Sequence, residues 1–556
     1  MFWRDTGFCH PGAALNGGTI KVINTCCAIF ASKSDEMSSL SSKSTLRLFV
    51  VALFVLLTLS GLMFSLYLIY FGAHDFYTYA IASFFIILSL VSGFFNIFIS
   101  YSYYRSAFYG EYLDGIKKRL KPLSAYPTVA VAMPVYNEDK SIVKKNLLRL
   151  KDLNYPSDRI RFYLLDDSTK KSISSDLRKF ARANGIAYIK RKVRDGFKAG
   201  ALNNMLRHSK EEFIALFDYD EYLTDPNFLN DLLPYFQSER LSYIQTEKRY
   251  FKGTFFSDTV DLFDAFFFRF IQPSRALNNT AIFAGSCGLI RRSALDKIGG
   301  FPEYIIEDTF FSLESDLHNY TSLYLPKVYA YGKPIYTFTD LVKQQWRYNY
   351  GDTQFLLYYL KRIWKGSEGH RKQSLLSTID YVTHGFGLNY VSIILIMFTI
   401  LSALVIFAAV PPAHVSISQL LSAQYIATTM EIIGIGTFII SVLAPAILTK
   451  IHFKSIKKGL MVFLLNFALS FIRTKAAMAA YLNTYPTSAW SKGERRTLGS
   501  KVLITLKNSF SEVLFSMALL VLSMFAFIIN NVYGAAWLLW YAILYSSTFI
   551  LFYKYG

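Results

Sequence analysis

Long apolar runs are the sequence feature that most constrains how this chain can fold. Leu46–Phe71 is 26 residues of nearly unbroken apolar character. As a helix it would extend about 39 Å, enough to cross a hydrocarbon core of about 30 Å. Tyr77–Tyr101 is a second run of this kind, and 53% of the whole chain is apolar. The sequence therefore predicts an integral membrane protein.

Four later runs complete the predicted membrane part. They are Gly385–Val410, Tyr425–Leu448, Phe510–Ile529 and Ala535–Phe552. Loops rich in Lys and Arg alternate along the chain with loops that have none, and the basic loops are expected on the cytosolic side. This alternation predicts six spans of the cell membrane with both termini in the cytosol.

One further apolar run, Gly459–Ile472, has only 14 residues and cationic segments at both ends. That length is short for a span, so the run is predicted to lie in the membrane interface. The net charge of +20 is concentrated beside the apolar runs, which indicates membrane topology. The sequence contains no nucleic-acid-binding motif, and no nucleic-acid partner is predicted.

Between the membrane segments the chain changes character. Short apolar runs alternate with polar helical stretches over residues 124–340, which is typical of an α/β domain with a mostly parallel sheet. The predicted organisation has seven parts: a polar, mobile cytosolic tail, 1–45; two spans, 46–103; a cytosolic α/β domain, 104–340; interfacial amphipathic helices, 341–383; two spans, 384–449; an interfacial helix and a loop, 450–507; two spans, 508–556. Met1 and Met37 both remain candidates for the first residue.

Two pairs of acidic residues follow predicted strands of this domain. Asp166 and Asp167 follow one apolar run, and Asp218 and Asp220 follow another. Ligands of open α/β sheets lie at the carboxyl ends of the strands, so the four carboxylates are expected to converge on one crevice. Four carboxylates repel one another unless a cation joins them. A Mg²⁺ or Mn²⁺ ion that carries a diphosphate fits this set. The alternative is a pair of solvated acidic turns.

Two motifs add candidate contacts to a nucleotide. In VAMPVYNED, Tyr136 can stack on a base and Glu138 can meet the base or ribose, although a helix cap formed by Asn137 and Glu138 explains the pattern as well. In RDGFKAG, Lys198 stands near a predicted helix N-terminus, where phosphates bind. A solvated first turn is the alternative there.

Two other motifs suggest an acceptor site and a base. In AGSCG, small residues around Ser286 and Cys287 permit close approach of a substrate, or simply form a tight turn. In IIEDT, Asp308 is the candidate base, because a hydroxyl nucleophile needs a carboxylate to take its proton. Glu307 precedes it and is predicted to contact the acceptor. A helix N-cap at Asp308 is compatible with either role.

The segment DLVKQQWRYNY combines amides, a Trp and a guanidinium. Arg347 can clamp a diphosphate, and Trp346 can stack on a sugar ring. An amphipathic interfacial helix also explains the segment, since Trp and Arg are common at membrane interfaces. Both interpretations can hold together.

In order and spacing, DD, DxD, ED and QQxRY between apolar segments resemble the processive membrane family-2 glycosyltransferases, the cellulose, hyaluronan and chitin synthases and their relatives. The resemblance covers residues 125–507. It implies an α/β catalytic domain of the GT-A type inserted in a bundle of transmembrane helices. It also implies Mg²⁺ or Mn²⁺ as cofactor.

The motifs and the resemblance together assign roles to individual residues. Nucleotide-sugar binding falls to Tyr136, Glu138, Asp167, Lys198, Asp218, Gln344, Gln345, Arg347 and Lys492; the metal to Asp218 and Asp220; catalysis to Asp308; acceptor binding to Ser286, Cys287, Glu307, Trp346 and Tyr348. Tyr348 stands where the family's QxxRW motif has its final Trp. YPTSAWSKGERR, which contains Lys492, stands where the family has a mobile gating loop.

The predicted function is a membrane polysaccharide synthase. It would transfer a hexose, with inversion, from a nucleotide-diphosphate sugar, most simply a UDP-sugar, to a growing polysaccharide and secrete the polymer. One alternative is a non-processive enzyme that glycosylates a lipid-linked acceptor. A transporter with a cytosolic regulatory domain is less compatible, because the spans hold almost no charged residues.

Overall fold

The computed structural model describes residues 76–365, 373–387, 389–408, 449–484, 498–529 and 531–556, together with the single positions 59 and 62. The predicted tail, most of the predicted span Leu46–Phe71, the whole of Tyr425–Leu448 and the loop with Lys492 lie outside the described residues.

Ten strands build two sheets. They are β1 Val129–Val135, β2 Ile160–Asp166, β3 Ala187–Ile189, β4 Phe213–Leu216, β5 Tyr222–Leu223, β6 Leu241–Thr246, β7 Arg249–Tyr250, β8 Gly288–Arg291, β9 Thr321–Leu325 and β10 Ala330–Gly332. The larger sheet has the order β3-β2-β1-β4-β8-β6-β9, and the smaller has the order β5-β10-β7.

Among the described residues, ten α-helices belong to the first half of the chain. They are α1 Phe76–Arg105, α2 Tyr109–Lys117, α3 Lys140–Leu150, α4 Lys171–Ala183, α5 Phe197–Leu206, α6 Phe228–Leu232, α7 Phe255–Phe266, α8 Gln272–Ala276, α9 Arg292–Ile298 and α10 Glu307–Leu317. Those of the second half are α11 Phe338–Lys365, α12 Leu375–Phe386, α13 Asn389–Ala408, α14 Ile456–Tyr481, α15 Leu498–Asn508, α16 Phe510–Ile528 and α17 Val532–Tyr555.

The larger sheet is mixed, and β8 is its one reversed strand. The pairs β1 with β2, β1 with β4, β2 with β3 and β6 with β9 are parallel, whereas β8 runs antiparallel to β4 and β6. The carboxyl ends of β1, β2, β4 and β6 therefore meet at one edge. The start of β8 lies at the same edge because that strand runs the other way.

Apolar residues cover both faces of the sheet. In β1, Val129, Val131 and Met133 pack on one face, and Ala130 and Ala132 pack on the other, with all five buried. A strand buried on both faces reads as a continuous apolar run, which explains why VAVAMPV lacks a polar alternation. The predicted α/β layer structure is confirmed.

Several helices are long and apolar enough to cross a membrane. Within the described residues they are Ile86–Lys117, Ile456–Tyr481, Phe510–Ile528 and Gly534–Tyr555, and α12 with α13 forms a further pair bent by 63°. Phe510–Ile528 and Gly534–Tyr555 match the predicted final two spans. The predicted span from Gly385 is instead interrupted at Gly387, and its helix restarts at Asn389. The chain is a membrane protein.

Helix α14 is longer than the 14-residue run of the sequence prediction, since it extends over 26 residues. The length of α14 therefore does not exclude a membrane span. Both ends of α14 nevertheless contact parts of the chain that lie outside the predicted spans. Lys458 near its start forms an ion pair with Asp258 at 3.0 Å, and Ala476 and Ala480 near its end pack with Tyr350. The interfacial placement of α14 stays a prediction.

Candidate active site

The functional side chains gather at the edge where the strand ends meet. Asp167 directly follows β2, whereas Asp218 lies two residues after the end of β4 and Lys248 lies two residues after the end of β6. Ser286 lies just before β8, and Glu307 begins α10. The reversal of β8 is what brings Ser286 to the same edge as the carboxylates.

Two lysines and a hydroxyl surround Asp218. The Nζ of Lys198 lies 2.8 Å from Asp218 Oδ1, and the Nζ of Lys248 lies 3.5 Å from Oδ2. Ser286 Oγ donates to Asp218 Oδ2 at 2.9 Å. Burial alone would raise the pKa of Asp218, but the two ammonium groups hold it well below its usual range. The side chains of Asp218 and Lys198 keep 33% and 27% of their surface exposed, so the pair faces an open cleft.

Asp220 has the opposite electrostatic character. Burial raises the pKa of Asp220 to about 7, and the carboxylates of Asp218 and Glu221 add to this rise. Repulsion of this kind is relieved by a bound cation. The described residues hold no group of three or more His, Cys, Asp or Glu able to bind a metal alone. One or two carboxylates with phosphate oxygens of a substrate form a usual Mg²⁺ site, and Asp218 and Asp220 fit that chemistry.

The predicted meeting of all four carboxylates is wrong for Asp166. This residue is 1% exposed, and its carboxylate accepts from Tyr188 Oη at 2.6 Å and from the backbone N–H of Ser168. Strand β1 separates β2 from β4, so the two strand ends are about 10 Å apart. Asp166 therefore supports the turn behind the site and does not line the cleft.

Asp167 faces a separate pair of cations. Its two carboxylate oxygens accept from Nε and Nη2 of Arg191 at 2.8 and 2.5 Å, and Arg194 Nε lies 3.8 Å away. The guanidinium of Arg194 lies 3.5 Å from the ring centroid of Tyr136. An aromatic face, two guanidinium groups and a carboxylate thus lie together where the sequence predicts the nucleotide.

The turn after β1 differs from the predicted helix cap. The N-cap of α3 is Asp139, whose side chain accepts from the backbone N–H of Ser141. Asn137 has a φ of +57° and accepts from the backbone N–H of Thr169. Glu138 remains beside the site, and burial raises its pKa, an effect that Asp218 increases. Glu138 therefore does not cap α3.

Glu307 and Asp308 open α10 at the floor of the cleft. Burial raises the pKa of Glu307 to about 7, and the charge of Asp308 contributes to the rise. Burial also raises the pKa of Asp308, against the opposing charges of Lys198, Lys248 and Arg347. Glu307 is buried, whereas Asp308 is only partly buried. Asp308 is thus the more accessible of the two carboxylates.

Gly285 provides the space in which Asp308 lies. A Cβ on Gly285 would stand 2.7 Å from Asp308 Oδ2, and the φ of Gly285 is +80°. Its carbonyl oxygen accepts from Lys198 Nζ at 2.9 Å. Ser286 and Cys287, which the sequence assigns to the acceptor, are both buried. The Ser286 hydroxyl is occupied by the Asp218 cluster, and Cys287 packs in the core.

Helix α11 places the residues of QQWRY on two faces. Arg347 is solvent-exposed, and its guanidinium lies 5.3 Å from the ring of Tyr348, whose hydroxyl accepts from Gln344 Nε2 at 3.4 Å. Gln345 lies elsewhere: it is 5% exposed, and its Oε1 accepts from Arg473 Nε of α14 at 2.9 Å.

Gln345 therefore joins two helices in place of its predicted contact with the nucleotide sugar. Trp346 is partly buried against Tyr350 and the end of α14, and its stacking on an acceptor sugar stays a prediction. The helical repeat explains the separation, because residues 344, 347 and 348 share one face of a helix while 345 and 346 point to others.

Sequence reasoning missed several site residues. Lys248 and Glu221 contact each other at 3.3 Å within the Asp218 cluster, and Arg191 pairs with Asp167. Lys248 follows a strand, as the acidic pairs do, so its position in the chain was an available signal. Arg191 follows the short edge strand β3, and only the strand order shows that β3 adjoins β2.

Comparison with known proteins agrees with this geometry. Residues 130–299 match the family described as Glycosyl transferase family 2. The cellulose synthase catalytic subunit [UDP-forming] of Pseudomonas fluorescens (strain SBW25) is 34% identical over 237 residues, which cover 41% of this chain and 31% of that protein. The protein with the same description from Xanthomonas axonopodis pv. citri (strain 306) is 28% identical over 258 residues, 44% of this chain and 35% of that protein. The chain matches about a third of the length of these two relatives.

Among solved structures, the mannosyltransferase from Pyrobaculum calidifontis in complex with GDP-Man and Mn²⁺ has a TM-score of 0.43 at 17% identity and covers 62% of this chain and 96% of that chain. The mixed α/β sheet confirms the predicted GT-A-type domain, with apolar helices on either side of it in the chain. Residues 130–299 of this membrane protein thus match Glycosyl transferase family 2 and are similar to the corresponding part of the cellulose synthase catalytic subunits.

Proposed function

We propose that this protein is an inverting polysaccharide synthase, which transfers a hexose from a UDP-sugar to a growing polysaccharide. The observation that carries the proposal is the position of Asp308. It shares one open cleft with Lys198 and Asp218, and the QQWRY face of α11 borders the same cleft. A base, a cation for phosphate and a metal-binding carboxylate are the groups that glycosyl transfer to a hydroxyl requires.

The donor binds across the strand ends in this proposal. Tyr136 and Asp167 would hold the nucleoside, and Lys198 and Arg347 would hold the diphosphate. The relatives are named UDP-forming, which supports uridine as the nucleoside. A Mg²⁺ or Mn²⁺ ion held by Asp218 and Asp220 would supply charge neutralisation at the diphosphate.

The reaction is a single displacement. Asp308 takes the proton of an acceptor hydroxyl, and the hydroxyl oxygen forms a bond to the anomeric carbon. The bond from that carbon to the diphosphate oxygen breaks, and UDP leaves with the electron pair. Arg347 and Lys198 stabilise the negative charge on UDP. Attack from the side opposite the leaving group inverts the anomeric configuration.

In this proposal the α/β domain lies in the cytosol, and the polymer is secreted between the membrane helices as it grows. The loop with Lys492 would close over the donor. These assignments rest on the resemblance of the motif order and on the alternation of basic loops.

Product size tests the proposal. Membranes that contain the protein are incubated with radiolabelled UDP-glucose or another UDP-hexose and with Mg²⁺ or Mn²⁺. The proposal predicts a high-molecular-weight product that a glycosidase degrades. Label found only in an organic-extractable lipid fraction would support the alternative, a non-processive transferase that acts on a lipid-linked acceptor. No transfer from any UDP-hexose would contradict both.

A further inference from the structure

The ammonium group of Lys248 lies in a cage of oxygen atoms beside Asp218. Its Nζ is 3.5 Å from Asp218 Oδ2 and 3.3 Å from Glu221 Oε1. It donates to Ser286 Oγ at 2.5 Å and to the backbone carbonyl of Ala284 at 3.4 Å. Carboxylate and carbonyl oxygens are also the ligands that hard divalent cations take. Lys248 therefore fills a position whose chemistry would suit a metal ion.

The carboxylates of the cage are fixed, whereas the lysine that occupies it is flexible. Glu221 is 3% exposed, and its Oε2 accepts from the backbone N–H of Asp218 at 2.8 Å. Its Oε1 accepts from Ser286 Oγ at 2.7 Å. Lys248 reaches the cage from the segment between β6 and β7 on a flexible stem, and 16% of its side chain remains exposed. The ammonium can thus leave while the oxygen atoms stay in place.

Asp220 faces the charges of this cage. Burial raises the pKa of Asp220, the carboxylates of Asp218 and Glu221 raise it further, and the charge of Lys248 opposes the rise. An ion that joins Asp218 to Asp220 would compete with Lys248 for Asp218 Oδ2 and would lie beside its positive charge. Like charges at such a distance repel each other. Binding of Mg²⁺ or Mn²⁺ to these carboxylates is thus opposed for as long as Lys248 stays in the cage.

From this geometry we infer that Lys248 competes with the divalent ion for Asp218, so that the metal binds tightly only together with the diphosphate of the donor. The inference rests on the donor and metal binding of the proposed function. Phosphate oxygens complete the ligand set of the ion, and their negative charge offsets its repulsion by Lys248. A metal ion without a donor finds Asp218 occupied, whereas the donor and the ion together displace the ammonium.

A second carboxylate is available to the displaced ammonium. Burial raises the pKa of Asp264, and the charge of Lys248 opposes this rise, which places Asp264 near Lys248. Asp264 accepts from Tyr250 Oη at 2.8 Å, and Tyr250 follows Lys248 by two residues in the chain. Movement of Lys248 from Asp218 toward Asp264 would therefore keep the ammonium paired after the metal ion enters.

Binding of Mn²⁺ to the purified protein tests the inference without any measurement of sugar transfer. The electron paramagnetic resonance signal of free Mn²⁺ gives its dissociation constant, with and without UDP. In the parent protein, UDP is expected to tighten Mn²⁺ binding about tenfold or more. In the absence of UDP, Lys248→Met is expected to bind Mn²⁺ about tenfold more tightly than the parent, because the competing charge is gone. UDP should then add less to the affinity.

Three further variants make the Mn²⁺ signal specific. Lys248→Arg keeps the positive charge and should bind Mn²⁺ alone as weakly as the parent. Lys252→Met makes the same substitution at an exposed lysine and should also match the parent. Asp220→Asn should lose the UDP-dependent part of the binding, which assigns that part to this site. Thermal unfolding shows that each variant is folded.

Mn²⁺ binding by the parent that is equally tight with and without UDP would overturn the inference, and this result needs no variant. Equal Mn²⁺ affinity of Lys248→Met and the parent without UDP would overturn it as well. A parent that shows the expected Mn²⁺ binding but transfers no sugar from any UDP-hexose would contradict the proposed transfer and leave the competition by Lys248 standing. A parent that binds no UDP would overturn both.

Discussion

Asp308 illustrates how single residues set the chemistry of this site. Burial raises the pKa of the Asp308 carboxylate, and the positive charges of Lys198, Lys248 and Arg347 oppose this rise. A base whose pKa lies closer to neutrality accepts a proton more readily, and the three cations favour its ionised form. The balance of burial and positive charge, more than the presence of an acid, decides the pH range of activity.

This balance predicts the acid side of the pH profile. Activity should fall as pH decreases through the raised pKa of Asp308, because only the ionised form takes the proton. Lys248→Met removes a cation that lowers this pKa, so the acid limb of kcat/KM should move to higher pH. Lys252→Met, at an exposed lysine, is the control. An unchanged limb in Lys248→Met would show that Lys248 does not act on the base.

Gly285 gives a second prediction at this scale. In Gly285→Ala the new methyl group would meet Asp308 Oδ2, in addition to the strain of a positive φ. Gly185→Ala has a similar φ of +66° but open space around it, and so carries the strain alone, about 1–2 kcal/mol. Both variants should lose similar stability in thermal unfolding, and only Gly285→Ala should lose most of its kcat. Equal activity in the two would contradict the role of the space beside Asp308.

At the scale of elements, α11 carries two functions on two faces. Residues 344, 347 and 348 border the cleft, and Gln345 holds Arg473 of α14. In the sequence, α14 is followed by the segment with Lys492, which is predicted to be a gating loop and lies outside the described residues. The link between Gln345 and Arg473 therefore joins the helix of the proposed site to the helix that precedes the proposed gating loop.

Adjacent glutamines allow a matched test of the two faces. Gln345→Leu would leave Arg473 Nε buried without its acceptor, at a cost of about 1–3 kcal/mol in the free energy of unfolding. Gln344→Leu should leave the melting temperature nearly unchanged and raise the KM for the UDP-sugar. Thermal unfolding and donor kinetics on both variants check this, and the reverse pattern would contradict the assignment of the faces.

Much of the domain was predictable from sequence because strand ends carry the chemistry. The apolar runs before Asp167 and Asp218 predict their strands, and Lys198 lies in the first turn of α5, near the helix start that the sequence predicts. The burial of Asp166 was not predictable, because it depends on Tyr188 of β3. The turning of Gln345 toward Arg473 depends on a helix more than a hundred residues later in the chain. Long-range partners of this kind leave no local pattern in a sequence.

At the scale of the whole molecule, the α/β domain and the membrane helices are joined through buried polar contacts. Asp380 of α12 accepts from Thr280 and Asn278 of the domain, and Arg275 donates to its backbone carbonyl. Phe256 of α7 stacks on Tyr555 at the end of α17, with ring centroids 4.6 Å apart. Contacts of this kind hold the cleft at a constant position relative to the helices, as the proposed transfer of polymer between those helices would require.

The membrane placement of α14 can be measured directly. Lys457 lies in the first turn of α14, and Leu482 follows its last residue; both are exposed. Cysteines introduced at these positions should react with a membrane-impermeant thiol reagent from the same side, the cytosolic one, if α14 lies in the interface. Lys117→Cys, which follows the first described helix, should label from that side too. Labelling of the two flanks from opposite sides would show that α14 crosses the membrane.

The central claim is that Asp308 acts as the base for transfer from a UDP-sugar held at Asp218 and Asp220. The most direct measurement combines UDP-sugar turnover with UDP binding in the purified Asp308→Asn variant, in the presence of Mg²⁺ or Mn²⁺. Loss of sugar transfer by about a hundredfold or more with the dissociation constant for UDP unchanged is the predicted result. Transfer at the parent rate by Asp308→Asn would contradict it.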